Sequence, residues 1–319
     1  MKNQILLLTA TCTVLLITGC TPKPIVGDND AVKATYIHKY GVEIDDATDW
    51  KERGASGQVI QKLKNGATLT ENWQDGVRHG PSTISFPHSE TIYQALFYDN
   101  GTCIRETTHY RSGMPKREDL HAPNSFILVS TWYEDGLPQS QEKYQDSRLL
   151  SGAYFTPNQE IESEIEQGQG ERPVRDGYGQ LKGKELFADG LLTLKTELHS
   201  TGIPKSYTPY IQGSIHGIKR TFSPSGEPET IEEWNNDRLH GTVIVFQNSE
   251  KIAEIHYADG QKNGIEQRFK AGTPEIVEDI SWCDGVRHGP SIVYVDNTKI
   301  TDWYFEGKKV SRVEFVERQ

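Results

Sequence analysis

Short runs of β-branched and aromatic residues recur along this chain, separated by clusters of chain breakers. Thr242-Val-Ile-Val-Phe246 and Ser291-Ile-Val-Tyr-Val295 are such runs, and they carry the side chains that strands favour. Asn-Ser-Glu, Ser-Gly-Glu-Pro and Ala-Gly-Thr-Pro interrupt the pattern midway, where a turn is expected. A second strand then ends at Trp234 or Tyr257 and runs into Asn-Asp or Asp-Gly. Two strands of about seven residues and two turns fill roughly 24 residues, one β-hairpin per period. No window shows a 3.6-residue period, so the chain is expected to be all-β.

The period is visible in the residues themselves. Trp73-Gln-Asp-Gly-Val-Arg-His-Gly-Pro-Ser82 returns as Trp282-Cys-Asp-Gly-Val-Arg-His-Gly-Pro-Ser291, identical at nine of ten positions. Beneath it lies a wider rule, an aromatic residue followed seven positions later by glycine. Trp50 and Gly57, Trp73 and Gly80, and Tyr210 and Gly217 obey it. So do Trp234 and Gly241, Tyr257 and Gly264, and Trp282 and Gly289. A turn glycine stands three residues after several of these aromatics, at Gly76, Gly213, Gly260 and Gly285, where a left-handed turn needs no Cβ. Degenerate copies are read after Tyr110, Tyr133 and Tyr304, with Gly113, Gly136 and Gly307 in the turn. Further aromatics stand five residues after the motif glycine, at Phe222, Phe246, Phe269 and Tyr294. Both aromatic sets can form ladders on a sheet face, and packing between hairpins is their expected role rather than ligand stacking.

The segments Tyr257–Phe269 and Trp282–Tyr294 resemble the MORN repeat family, and more closely its bacterial variant in YwqK-like proteins described as antitoxins. The likeness covers 50–86 and 207–307 well and the rest in patches. It implies an elongated, twisted, single-layer antiparallel sheet of tandem hairpins. It also implies a scaffold or dimerisation surface, or neutralisation of a co-encoded toxin. No family active site carries over. Ser85 stands where Tyr294 would be, and 114–131 has no clear motif. Residues 158–190 hold an acidic run, then Gly168, Gly170, Gly177, Gly179 and Gly183, and are expected to be irregular.

The N-terminus alters the cellular picture. Residues 1–19 read as a lipoprotein signal peptide: Lys2, an interrupted apolar stretch, then Leu16-Ile17-Thr18-Gly19-Cys20. Cys20 would be acylated and bound to membrane lipid. Thr21 rather than Asp follows it, which favours an outer over an inner membrane where both exist. Residues 20–35 form a tether, 36–157 and 191–319 the two sets of hairpins, and 158–190 the segment between. The expected location is the bacterial cell envelope.

Net charge is −11, and loss of 1–19 removes Lys2 and no acid, giving about −12. That excludes nucleic acid and anionic lipid surfaces as favoured partners. Hydrophobic residues make up 35%, which suits a thin structure with a modest core. Cys103 and Cys283 have no metal-ligand spacing, and about seven periods separate them, too far for a disulfide in an open sheet. His79, His216, His240 and His288 each precede a motif glycine, with Asn263 in the same slot. Equivalent turns lie two strands apart, roughly 9–10 Å, too far for one zinc ion. Caps on backbone amides are the expected role. No nucleophile, zinc or phosphate-loop motif occurs. Acids such as Glu162, Glu164, Glu166, Glu232 and Glu233 are read as surface charge. No metal and no cofactor is expected. The functional expectation is a non-enzymatic lipoprotein that binds or scaffolds an unidentified protein. The alternatives are an antitoxin-like neutralising partner and a glycan-binding or glycan-processing surface protein.

Overall fold

A computed structural model describes residues 31–296 and 298–319. The expected signal peptide, Cys20 and the first part of the expected tether lie outside the described residues. Among the described residues the chain is almost all β, with 28 strands and two short helices, α1 (Ala47–Glu52) and α2 (Arg312–Glu317). Its strands fall into two compact units. One comprises the described residues up to Gly113 with Glu118–His121, and the other Met114–Arg117 with Ala122–Gln319.

Each unit is a layer of antiparallel strands joined hairpin to hairpin, open rather than closed. In the first, Ala31–His38, Gly57–Leu63 and Thr68–Gln74 pair in turn, and Gly80–Ser85, Ile92–Asp99 and Thr102–His109 follow. In the second, the ladder runs from Phe126–Trp132 to Lys308–Val310. Residues 158–190 are not irregular. They supply Ile161–Glu166, Gln169–Arg175 and Leu181–Ala188. The acidic run is itself a period-two strand, with Ile165 only 1% exposed and Glu164 and Glu166 facing solvent. The stretch 114–131 likewise gives Pro115–Ala122 and part of Phe126–Trp132. Strand Ala31–His38 starts inside the expected tether.

Two kinds of turn alternate. One end of the hairpins carries two-residue turns with both residues at positive φ. Asp75-Gly76, Asn100-Gly101, Asp146-Ser147 and Asp189-Gly190 are examples, as are Asn236-Asp237 and Asp284-Gly285. Their twist matches that of the flanking strands. The other end mostly carries longer turns closed by an amide three residues on, as in Gly113 N to Tyr110 O and Gly136 N to Tyr133 O, with the two-residue Asn248-Ser249 an exception. Tyr110 and Tyr133 therefore mark the opposite ends of hairpins and are not degenerate motif copies. The true copies there centre on Tyr98, with Gly101 three residues on, and Tyr144, with Ser147. The aromatic-to-glycine count alone cannot tell one end from the other.

Trp50 is a second correction. It sits in α1, which Asp46 caps by accepting the amides of Thr48 and Asp49 at 2.7 and 2.9 Å. Its ring packs with Ile44, Val59 and Tyr36 and covers the first hairpin. Gly57 does keep the motif role, opening a strand at φ +138°. Elsewhere the core lies on one sheet face, around Leu63, Ala67 and Ile84 in the first unit and Leu149, Tyr154, Ile165 and Phe187 in the second.

Candidate functional site

The motif glycines sit in bulges. Trp73 faces Arg78 and Leu69 faces Ile84, so the second strand spends six residues where the first spends four. Tyr257 with Lys262 and Ala253 with Arg268 repeat the offset, as do Trp282 with Arg287 and Glu278 with Val293. The two surplus residues are the motif pair itself: His79-Gly80, Asn263-Gly264 or His288-Gly289. A two-residue surplus bends the strand while preserving which side chains face inward. Gly217, Gly241, Gly264 and Gly289 hold φ between +103° and +106° there.

The aromatic-to-glycine rule now has a physical cause. Each motif glycine faces the next copy's aromatic across the ladder: Gly57 with Trp73, Gly80 with Tyr98, Gly217 with Trp234. Gly241 with Tyr257, Gly264 with Trp282 and Gly289 with Tyr304 complete the series. A Cβ at Gly217, Gly241, Gly264 or Gly289 would meet Pro209, Glu233, His256 or Ser281, the residue just before that copy's own aromatic, so the glycine makes room for this neighbour. The second aromatic set, an odd number of residues further on, projects from the opposite face. There Phe222 packs on Tyr207 at 5.6 Å, and the Tyr294 hydroxyl donates to Asp279 at 2.7 Å. The two aromatic ladders are thus on different faces, because an odd offset reverses side-chain direction.

Neighbouring turns are clasped together. Gly101 N donates to Arg78 O at 2.8 Å, Gly260 N to Leu239 O at 2.8 Å, Gly285 N to Lys262 O at 2.9 Å and Gly307 N to Arg287 O at 2.8 Å. The bulge lays each turn against the one before it, closer than the 9–10 Å of regular two-strand spacing. The motif histidines add a second clasp. His79 Nδ1 accepts the amide of Asn100 at 3.3 Å, His240 Nδ1 that of Asp259 at 3.5 Å and His288 Nδ1 that of Glu306 at 3.4 Å. In the fourth slot, Asn263 Nδ2 donates to Asp284 at 3.1 Å. The side chains of His79, His240 and His288 thus bond backbone amides, as read from the sequence, whereas Asn263 bonds a carboxylate. Among the described residues no group of three His, Cys, Asp or Glu side chains gathers around a metal-sized space.

The motif-aromatic face carries buried or half-buried carboxylates, each held by a cation that stacks on an aromatic ring. Glu71, 6% exposed, accepts Arg78 at 2.7 Å, and Arg78 lies over both Trp73 and Tyr98. Glu232 accepts Trp234 Nε1 at 2.8 Å, with Lys219 at 3.3 Å and stacked on the same ring. Glu266, 2% exposed, accepts Lys262 at 2.6 Å, Arg268 at 3.0 Å and Trp282 Nε1 at 3.0 Å. Burial pushes the Glu266 carboxyl up, but the Lys262 and Arg268 hydrogen bonds outweigh it and hold it below the usual range. Glu232 belongs to this network and is not surface charge.

A cleft of about 290 Å³ in the second unit holds the largest such network. Glu142 accepts the Tyr154 hydroxyl at 2.8 Å, the Tyr144 hydroxyl at 2.9 Å and Arg172 Nη1 at 3.1 Å. Arg172 also bonds Glu185 through Nε at 2.8 Å and stacks on Phe187. Arg175 and Glu162 form a two-pronged pair at 2.8 and 2.7 Å. Burial, reinforced by Glu142, pushes Tyr144 up to about 12 and Tyr154 upward as well. Burial works against the Arg172 charge, yet Glu142 and Glu185 raise it on balance. Every acid here is met by a donor, so the network balances its charge within the chain. Glu142, Tyr154 and Arg172 escape the sequence rule because they lie on three strands and follow no fixed spacing. Cys103 is buried, and its thiol reaches Arg105 O at 3.5 Å; Cys283 is exposed.

These features define an antiparallel hairpin-repeat protein whose turns interlock through glycine bulges. No protein-family model matches the chain, and no curated protein does. Among solved structures it is similar to TcdB2-TccC3, with 11% identity and a TM-score of 0.17 over 86% of this chain and 18% of that one. It is likewise similar to the Photorhabdus luminescens Tc holotoxin pore, with 12% identity and a TM-score of 0.17 over 86% of this chain and 17% of that one. The chain spans a small part of each, and at such TM-scores the likeness carries no argument.

Proposed function

We propose that this chain is a non-enzymatic envelope lipoprotein, held to membrane lipid through acylated Cys20, whose hairpin repeats bind or scaffold another protein. The anchor rests on the sequence reading of residues 1–20. Among the described residues no helix is long and apolar enough to cross a membrane. The observation that carries the binding role is the row of exposed aliphatic side chains on the face opposite the motif aromatics. Leu186, Ile218 and Ile265 are 44–48% exposed there, on strands that regular packing would leave polar. The edges are poorer docking sites. The last strand, Lys308–Val310, has three residues, two of them lysine, and Glu43–Ile44 has two. Short, charged edges resist strand addition.

The test is a photo-cross-linking amino acid placed at Ile265 in intact cells, with and without Cys20→Ala. One reproducible partner, captured from Ile265 and lost without the anchor, is expected. Recovery of bulk envelope proteins alone would sink the proposal.

A further inference from the structure

The repeats supply their own comparison. Five residues after the motif aromatic, four copies place a cation on the motif-aromatic face: Arg78, Lys262, Arg287 and Lys309. Three meet a carboxylate of this chain. Arg78 reaches Glu71 at 2.7 Å and Lys309 reaches Asp302 at 2.7 Å, each acid standing two residues before the aromatic. Lys262 reaches Glu266 at 2.6 Å, two residues after the motif glycine. The fourth cation differs. Among the described residues Arg287 meets only the Tyr304 hydroxyl, at 3.4 Å, between the rings of Tyr304 and Trp282. Where Glu71 and Asp302 stand, this copy has Ile280, fully buried at 0% exposure. Where Glu266 stands, it has Ser291, buried and with a hydroxyl that makes no hydrogen bond among the described residues. Ser82 shares that lack, so the guanidinium alone sets this copy apart. The decapeptide is otherwise the one that binds Glu71 in the first unit.

We propose that Arg287, framed by Trp282 and Tyr304, is the anchor for a carboxylate on an acidic segment of a partner protein. The inference rests on the binding role above and names its chemistry. A partly buried guanidinium keeps its fork of donors in a plane, and two flanking rings hold it still, which suits two-pronged recognition of a carboxylate. The sister copy displays that bond made within one chain. Desolvation by the rings strengthens the pair relative to one in open water.

The test uses the full chain labelled with ¹⁵N, titrated with an N-acetylated tetraglutamate amide and, separately, with tetraglutamine and inorganic phosphate. Saturable shifts of the Trp282 indole and Arg287 Nε resonances with tetraglutamate, and none with tetraglutamine, are expected. Arg287→Gln weakens binding by at least about tenfold, and Ile280→Glu does the same by filling the slot from within. Arg78→Gln leaves the affinity as it was. If Ile280→Glu does not fold, Arg287→Gln decides. Shifts that never saturate, that survive Arg287→Gln, or that phosphate alone produces would overturn the proposal. A partner captured through Ile265 would then leave the broader binding role standing without this anchor.

Discussion

At the scale of single residues, a buried carboxylate is stable here only because its partners are fixed. Glu266 is nearly sealed from water and bonded by Lys262, Arg268 and Trp282. Its depressed folded-state titration contributes stability above the ordinary glutamate value of about 4.3. That contribution is lost as pH falls through the lower folded-state value. Glu266→Gln keeps the shape but leaves Lys262 without its carboxylate and Arg268 with Glu278 alone, and a loss of about 2 kcal/mol at pH 7 is expected. Urea midpoints across pH check it: the gap between wild type and variant closes in acid. A constant gap would show that packing, not charge, sets the cost. The same logic explains the Glu142 network, where three donors converge on one carboxylate.

The hairpin is the next scale, and its two glycines have unequal jobs. Gly260 lies in a two-residue turn at φ +86°, and a Cβ built there meets nothing within 4 Å. Asp237 and Ser147 occupy the same turn position at φ 64° and 67°. Gly260→Asn is therefore expected to cost less than about 1 kcal/mol. Gly241 lies in the bulge at φ +106°, where a Cβ would stand 2.0 Å from Glu233 Oε2 and 3.1 Å from its Cβ. Gly241→Ala combines backbone strain with that collision, and about 2–3 kcal/mol is expected. Thermal or chemical melts of the two variants side by side decide it; equal losses would refute the distinction. The bulge also sets the clasp between turns, so element and neighbour stand or fall together.

For the molecule as a series of repeats, each hairpin draws most of its support from the hairpins beside it, and the terminal ones need another cover. In the first unit α1 supplies it through Trp50. In the second, α2 brings Phe315, 5% exposed, to 5.0 Å from Trp303 and beside Phe305 and His288. Phe315→Ala is expected to cost about 3 kcal/mol locally. Hydrogen exchange should show faster opening of Thr298–Phe305 and Lys308–Val310, with strands of the first unit unchanged. Uniform acceleration throughout the chain would mean that the repeats do not act as separable neighbours.

The sequence by itself determined the all-β class, the period near 24 residues and the turn glycines, because these depend on strand alternation and on φ values that only a few residues accept. It also determined that His79, His240 and His288 would serve backbone amides. It could not tell which end of a hairpin Tyr110 or Tyr133 marks, since both ends use an aromatic followed by a glycine. It read the run from Glu160 as irregular although Ile161, Ser163 and Ile165 alternate with its acids. It put both aromatic ladders on a sheet face, whereas they lie on opposite faces, and counted Trp50 among the motif aromatics although it sits in a helix. Tertiary structure decided those points, and it alone placed Glu142, Arg172 and Tyr154 in one network. Local geometry is written in neighbouring residues, whereas register, bulge offset and charge pairing arise only when strands far apart in the chain lie side by side.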